Sequence, residues 1–170
     1  RVLASVGGAP DRLAMTLPPG FVASAHAQAT PLMLVGAPVI SSTSSERVLH
    51  FARALPLKDG RRVVGVVETP LALIVGSMDS AADVPGLAVT LERGDGQLLA
   101  SAPMDAANAG RRLPAALGAD QLSGEPFLAP GRLTPKPSIV AARPTLYRDL
   151  VVAAAQPLDN ELADWALQRR

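Results

Sequence analysis

The spacing of apolar residues changes several times along this chain, and the changes mark out two stretches built alike. Residues 1–30 contain Gly7, Gly8, Pro10, Pro18, Pro19 and Gly20, which interrupt any long apolar period. That stretch reads as irregular, with a short helical turn at Arg12 to Leu17. Leu32 to Val35, Val39 and Ile40 then form a strand-like run that stops at the polar cluster Ser41 to Glu46. Arg47 to Leu57 and Arg61 to Thr69 are two β-rich runs joined at Lys58-Asp59-Gly60. Asp-Gly between such runs is a strong hairpin signal, because a type I′ turn needs positive φ at both central residues. Pro70 sits where the first turn of a helix tolerates proline, with Leu71, Leu73, Ile74 and Met78 behind it, so Pro70 to Ser80 is predicted helical. Ala81 to Gly86 reads as a linker.

The same grammar restarts after the linker. Leu87 to Arg93 and Gln97 to Ala102 flank the turn Asp95-Gly96, giving a second hairpin. Asp105 to Gly118 is an Ala-rich crossover, helical or irregular, interrupted by Pro114. Pro126 to Leu133, Ser138 to Arg143 and Asp149 to Gln156 are three further short strands. Leu158 to Arg169 closes the chain as a helix, with Leu158, Leu162, Trp165 and Ala166 on one face. Clustered strands with helices at the ends of each cluster argue for an α+β fold with antiparallel sheet. Residues 85–156 read as a complete five-stranded unit, and residues 30–69 as the last three strands of another.

Pairing the first hairpin about a two-residue Asp59-Gly60 loop puts Leu55 opposite Val64, Arg53 opposite Val66 and Phe51 opposite Glu68. Leu49, Phe51, Arg53 and Leu55 then share a face with Val64, Val66 and Glu68, making Arg53 and Glu68 diagonal neighbours on an apolar surface. An arginine so placed holds an anion in a pocket tuned by the carboxylate, or simply forms a structural ion pair at the sheet margin, the commoner use of such pairs. In the second hairpin the same rule pairs Val89 with Ala102. It gathers Leu87, Val89, Leu91, Leu98, Ala100 and Ala102 on one face and Thr90, Glu92 and Ser101 on the other.

Composition narrows the chemistry. The 170 residues carry 16 Lys plus Arg against 15 Asp plus Glu, a net charge of +1, so no broad field draws nucleic acid or an anionic membrane. Three Phe, one Tyr and one Trp make no stacking platform for bases. The absence of Cys excludes a disulfide framework, a thiolate metal site and a cysteine nucleophile. His26 and His50 stand on separate segments without a His-x-x-x-His pair, so no metal site is expected. No Gly-x-Ser-x-Gly, phosphate loop or dinucleotide fingerprint is present. No catalytic residue and no cofactor are therefore expected. Apolar runs fall far short of the ~20 residues that span a bilayer.

Three segments resemble the core of double Cache (PDC) domains, PAS-like extracytoplasmic sensors of bacterial receptors. They are Gly36-Ala37-Pro38-Val39-Ile40, the run from Val48 to Leu55, and Lys58 to Val67. The hairpin from Gly86 to Pro103 is similar to the opening of the membrane-proximal module. Ser138 to Arg143 and Leu150 to Leu158 look like that module's last strands and the start of the helix that enters the membrane. The resemblance implies an antiparallel PAS-like (PDC/Cache) sheet flanked by helices, one complete module plus a partial second. Its domains would be 1–69 (partial membrane-distal module), 70–156 (membrane-proximal module with its leading helix) and 157–170 (helix toward the membrane).

It also implies a periplasmic or extracellular sensor for a histidine kinase, diguanylate cyclase or chemoreceptor. Such a sensor would bind a small molecule such as a small carboxylate, be held to the membrane by flanking segments, and pair as a homodimer. Arg53, Glu68, Phe51, Arg143 and Tyr147 are the candidate ligand-binding residues. Amino-acid-binding relatives carry an Asp after Gly-Val-Val, where Gly65-Val66-Val67-Glu68-Thr69-Pro70 has Pro70, so an amine clamp is not expected there. A secreted or lipid-anchored interaction protein without signalling output is the alternative.

Overall fold

The computed structural model describes residues 15–78, 84–113, 116–147 and 149–159. The chain divides into two compact units, Arg1–Leu71 and Ala72–Arg170. Both are antiparallel sheets, as the strand pattern predicts.

In the first unit a helix, α1 (Phe21–Ala27), precedes β1 (Leu34–Val35), β2 (Val39–Ile40), β3 (Arg47–Pro56) and β4 (Arg62–Pro70). β3 is the spine: β4 pairs along one edge, and β1 and β2 share the other. The single apolar run expected over 32–40 is thus split in two, and Pro38, which has no N–H to give a ladder, lies in the break. The helix α1 corrects the expectation that residues 1–30 are irregular. Phe21 and Ala25, one turn apart, are buried against Ala52, with Leu17, Leu34, Val64 and Val66 packed around them. Tertiary burial of this i, i+4 pair outweighs the nearby helix breakers. Of the helical turn expected at Arg12 to Leu17, residues 12–14 lie outside the described residues.

The first hairpin is one residue out of the expected register. His50 faces Glu68, Phe51 faces Val67, Arg53 faces Gly65 and Leu55 faces Val63. The loop is three residues long, closed by Leu57 N–H to Arg61 O at 2.7 Å, with Gly60 at φ 82° donating to Leu57 O. A three-residue loop ended by a left-handed glycine is a common hairpin connection. One extra loop residue exchanges the faces of β4 relative to β3. Glu68 therefore lies on the inner face with His50, Ala52, Val64 and Val66, whereas Phe51 and Arg53 point outward, and the Arg53–Glu68 neighbourhood does not form.

α2 (Leu71–Met78) follows directly, starting one residue later than expected because Pro70 ends β4 opposite Val48. The second unit then contributes β5 (Ala88–Arg93), β6 (Leu98–Ala102), β7 (Phe127–Pro130), β8 (Pro137–Pro144) and β9 (Leu150–Pro157). They form one five-stranded sheet in the order β6-β5-β9-β8-β7. The second hairpin has the same three-residue loop, Arg93 N–H bonding Gln97 O and Gly96 at φ 82°. A bulge at Leu99 then restores the expected pairs Leu91–Ala100, Thr90–Ser101 and Val89–Ala102.

Alternation along these strands sets an inner face. Thr90, Glu92, Ser138, Val140, Ala142, Val151, Ala153 and Ala155 are all buried on it. The crossover between β6 and β7 returns over this face as turns and a short 3-10 helix, Ala119–Leu122, and Leu117 and Leu122 pack on Ala142, Val151 and Ala153. Of the closing helix expected from Leu158 to Arg169, residues 160–170 lie outside the described residues. No described helix is long and apolar enough to cross a membrane.

Candidate functional site

Between the inner face of the five-stranded sheet and its crossover lies a cavity of about 610 Å³. Small-molecule sites typically occupy ~300–1,000 Å³. Three layers of chain build it. Phe127 and Ala129 of β7 and Val140 of β8 supply the floor; the β7–β8 connection from Pro130 to Pro135 supplies one wall; Asn108 to Leu113, with Ala116, Leu117 and Gln121, supplies the other. Gly110 and the Asp105-to-Asn108 turn bond the crossover back to the sheet. Gly110 N–H donates to Leu98 O and Asp105 N–H to Ser101 Oγ at 2.9 Å, while the Asp105 carboxylate caps the Asn108 N–H at 3.1 Å. The same tether brings Arg111 and Arg112 to the cavity.

Three arginines line this space, each anchored differently. Arg132 is buried, and its Nε and Nη2 donate to the two carboxylate oxygens of Glu92 at 2.8 and 2.6 Å. Thr90 Oγ1 adds a third hydrogen bond to Glu92, at 2.7 Å. A charged pair removed from water persists only when its bonds are well formed, and this bidentate fork is the geometry that suits arginine. It ties the β7–β8 connection to the middle of the sheet.

Arg112 reaches Asp95 at 3.0 Å. Partial burial pushes the Asp95 carboxyl up, but the Gln97 amide, Arg93 and Arg112 together outweigh it and hold it below its ordinary value. Arg111 donates from Nη1 to the neutral Asn108 Oδ1 at 3.1 Å, and among the described residues it has no carboxylate partner.

None of Arg53, Glu68, Phe51, Arg143 and Tyr147 lines this cavity. Arg53 is exposed and donates from Nε to Pro31 O at 2.8 Å, pinning the segment that leads into β1. Phe51 stands half-buried on the same outer face. Glu68 belongs to a polar cluster on the inner face of the first unit. Its Oε1 accepts from Ser41 Oγ at 2.8 Å and its Oε2 from His50 Nε2 at 2.9 Å. His50 is fully buried, its ring tilted against Phe21 at 6.3 Å, and its Nδ1 has no hydrogen-bond partner. Ser41 Oγ also takes the Thr43 and Ser44 amides, so the carboxylate clamps the β2–β3 loop to β4. Arg143 and Tyr147 are exposed in the second unit, the Arg143 guanidinium resting where a side chain on Gly124 would otherwise go.

No protein-family model matches this sequence, and no curated protein matches it either. Solved structures do. The extracellular domain of rpHK1S-Z16, described as a histidine kinase, superposes with a TM-score of 0.67 at 22% identity, over 86% of this chain and 62% of that one. The ligand-binding domain of the Pseudomonas aeruginosa chemoreceptor PctB, in complex with L-Arg, gives 0.61 at 18% identity over 91% and 64%. That of the Pseudomonas fluorescens chemoreceptor CtaA, in complex with L-isoleucine, gives 0.60 at 15% over 86% and 61%. The chain therefore spans less than two thirds of the length of these proteins. The resemblance read from the hairpins is borne out at the level of fold: this chain has an α+β, PDC or Cache-like fold, similar to the extracellular domain of a histidine kinase and to the ligand-binding domains of chemoreceptors.

Proposed function

We propose that this chain is the extracytoplasmic sensor region of a bacterial signalling receptor, and that the cavity of its second unit receives a small ligand. The observation that carries the reading is the cavity on the inner face of the five-stranded sheet, in a fold shared with the ligand-binding domains of chemoreceptors. In this reading residues 70–156 are a complete PAS-like module and residues 1–69 a partial one, with segments outside the chain linking it to a membrane and to its output domain. A histidine kinase, a diguanylate cyclase or a chemoreceptor would serve equally as that output, and paired copies of the chain would relay the signal. The mechanism is non-covalent: a ligand that fits the cavity better in one packing of crossover against sheet stabilises that packing, by no more than its differential affinity.

The test is ligand-dependent thermal stabilisation across a panel of small organic acids and amino acids, with Ala129→Trp as the comparison. Ala129 faces the cavity from β7, so an indole there fills the space without emptying the core. A ligand at about 100 times its Kd should stabilise the protein by about 2.7 kcal/mol. Stabilisation of the parent protein and its loss in Ala129→Trp is the expected pair of results. Equal stabilisation in both proteins would place the ligand elsewhere and remove the cavity from the proposal.

A further inference from the structure

Resting on that reading of the cavity, we infer that its ligand is an organic monocarboxylate with an apolar body and no amino group. The walls supply the first half of the argument. Phe127, Val140, Leu113 and Leu117 present hydrocarbon to the cavity, so a ligand that fills it buries an apolar body. The charges supply the second half. Of the three lining arginines, Arg132 is paired with Glu92 and Arg112 shares Asp95 with Arg93, while the described side-chain partner of Arg111 is a neutral amide. One guanidinium with an uncommitted charge matches one carboxylate, which it grips through two parallel N–H bonds.

Among the described residues that line the cavity there is no Asp or Glu. An α-amino acid brought here would seat its carboxylate on Arg111 and strand its ammonium beside apolar walls and paired arginines. Taking that ammonium out of water without a counter-charge is expensive. The site therefore discriminates between an acid and the amino acid of the same shape.

The experiment compares matched pairs that differ only in the α-ammonium: 4-methylpentanoate against L-leucine, and 3-phenylpropanoate against L-phenylalanine, by titration calorimetry on the full chain. Each acid should bind at least about tenfold more tightly than its amino acid. Arg111→Ala should weaken acid binding by roughly tenfold or more, and Arg111→Lys should recover part of it. Arg111 is exposed, so neither variant threatens folding, and Arg53→Ala should leave acid binding unchanged.

Amino acids binding as tightly as their acids would overturn the inference while leaving the cavity reading intact, provided Ala129→Trp abolishes that binding. Acid binding indifferent to Arg111→Ala would also overturn it. If neither member of any pair binds, the inference falls, and the wider panel decides separately whether the cavity reading survives.

Discussion

Gly60 and Gly96 close the two hairpin loops in the same conformation, both at φ 82°, and differ in what surrounds them. A Cβ on Gly60 would meet nothing within 4 Å, whereas one on Gly96 would come within 3.3 Å of the Cα and Cβ of Ala116. Gly60→Ala should therefore cost only the left-handed strain of an L-residue, about 1–2 kcal/mol. Gly96→Ala should cost that plus the displacement of the crossover that walls the cavity. Urea unfolding of the two variants checks the order, and a Gly60→Ala loss equal to or larger than that of Gly96→Ala would contradict it. These turn residues were legible in the sequence because turn chemistry is local. The cavity residues were not. Arg111, Arg112 and Arg132 lie in Gly- and Pro-punctuated stretches with no period to say what they face, and the partner of Arg132 is Glu92, 40 residues away.

The pairing of Glu92 with Arg132 belongs to the scale of elements, since it fastens the β7–β8 connection to β5. Both side chains are nearly inaccessible, at 2% and 7% exposure, so removing either partner takes a counter-charge away from a buried charge. Glu92→Leu and Arg132→Met should each destabilise by about 3–5 kcal/mol, while the double variant should recover most of the loss, because neither buried charge then remains without its counter-charge. A double-variant cycle by denaturant unfolding measures this, and strictly additive losses would show that the pair does not act as a unit. At this scale most of the fold could be read in advance: the β5–β6 hairpin, the three strands after the crossover and the α+β class all rest on local alternation and turns.

Register was harder. Counting from a two-residue Asp-Gly loop misses the third loop residue in both hairpins. The second recovers through the Leu99 bulge, while the first carries the error along β4 and reverses the face of Glu68. The ion pair anticipated between Arg53 and Glu68 fails for that reason, and His50 takes the carboxylate instead. Helix α1 was illegible because its stability comes from burying Phe21 and Ala25 on strands that follow it in sequence.

For the whole molecule, the two units differ in how far each can stand alone. The second holds a five-stranded sheet whose inner face is covered by its own crossover, with Leu98, Leu99, Val140 and Ala153 wholly buried. The first rests on one long hairpin, two strands of two residues each and a seven-residue helix. Small domains bury a smaller share of their surface, and about 60 residues is already marginal without staples. A fragment of residues 72–170 should therefore unfold cooperatively, with a denaturant slope expected for its length, while a fragment of residues 1–71 should show little cooperative transition. The larger fragment contains every described residue that lines the cavity, so it should also keep the stabilisation by an acid ligand that the full chain shows. Circular dichroism melts with and without 3-phenylpropanoate test both statements. A larger fragment that folds but loses a stabilisation present in the full chain would mean that binding draws on residues 1–71, and the cavity would cease to be a self-sufficient site.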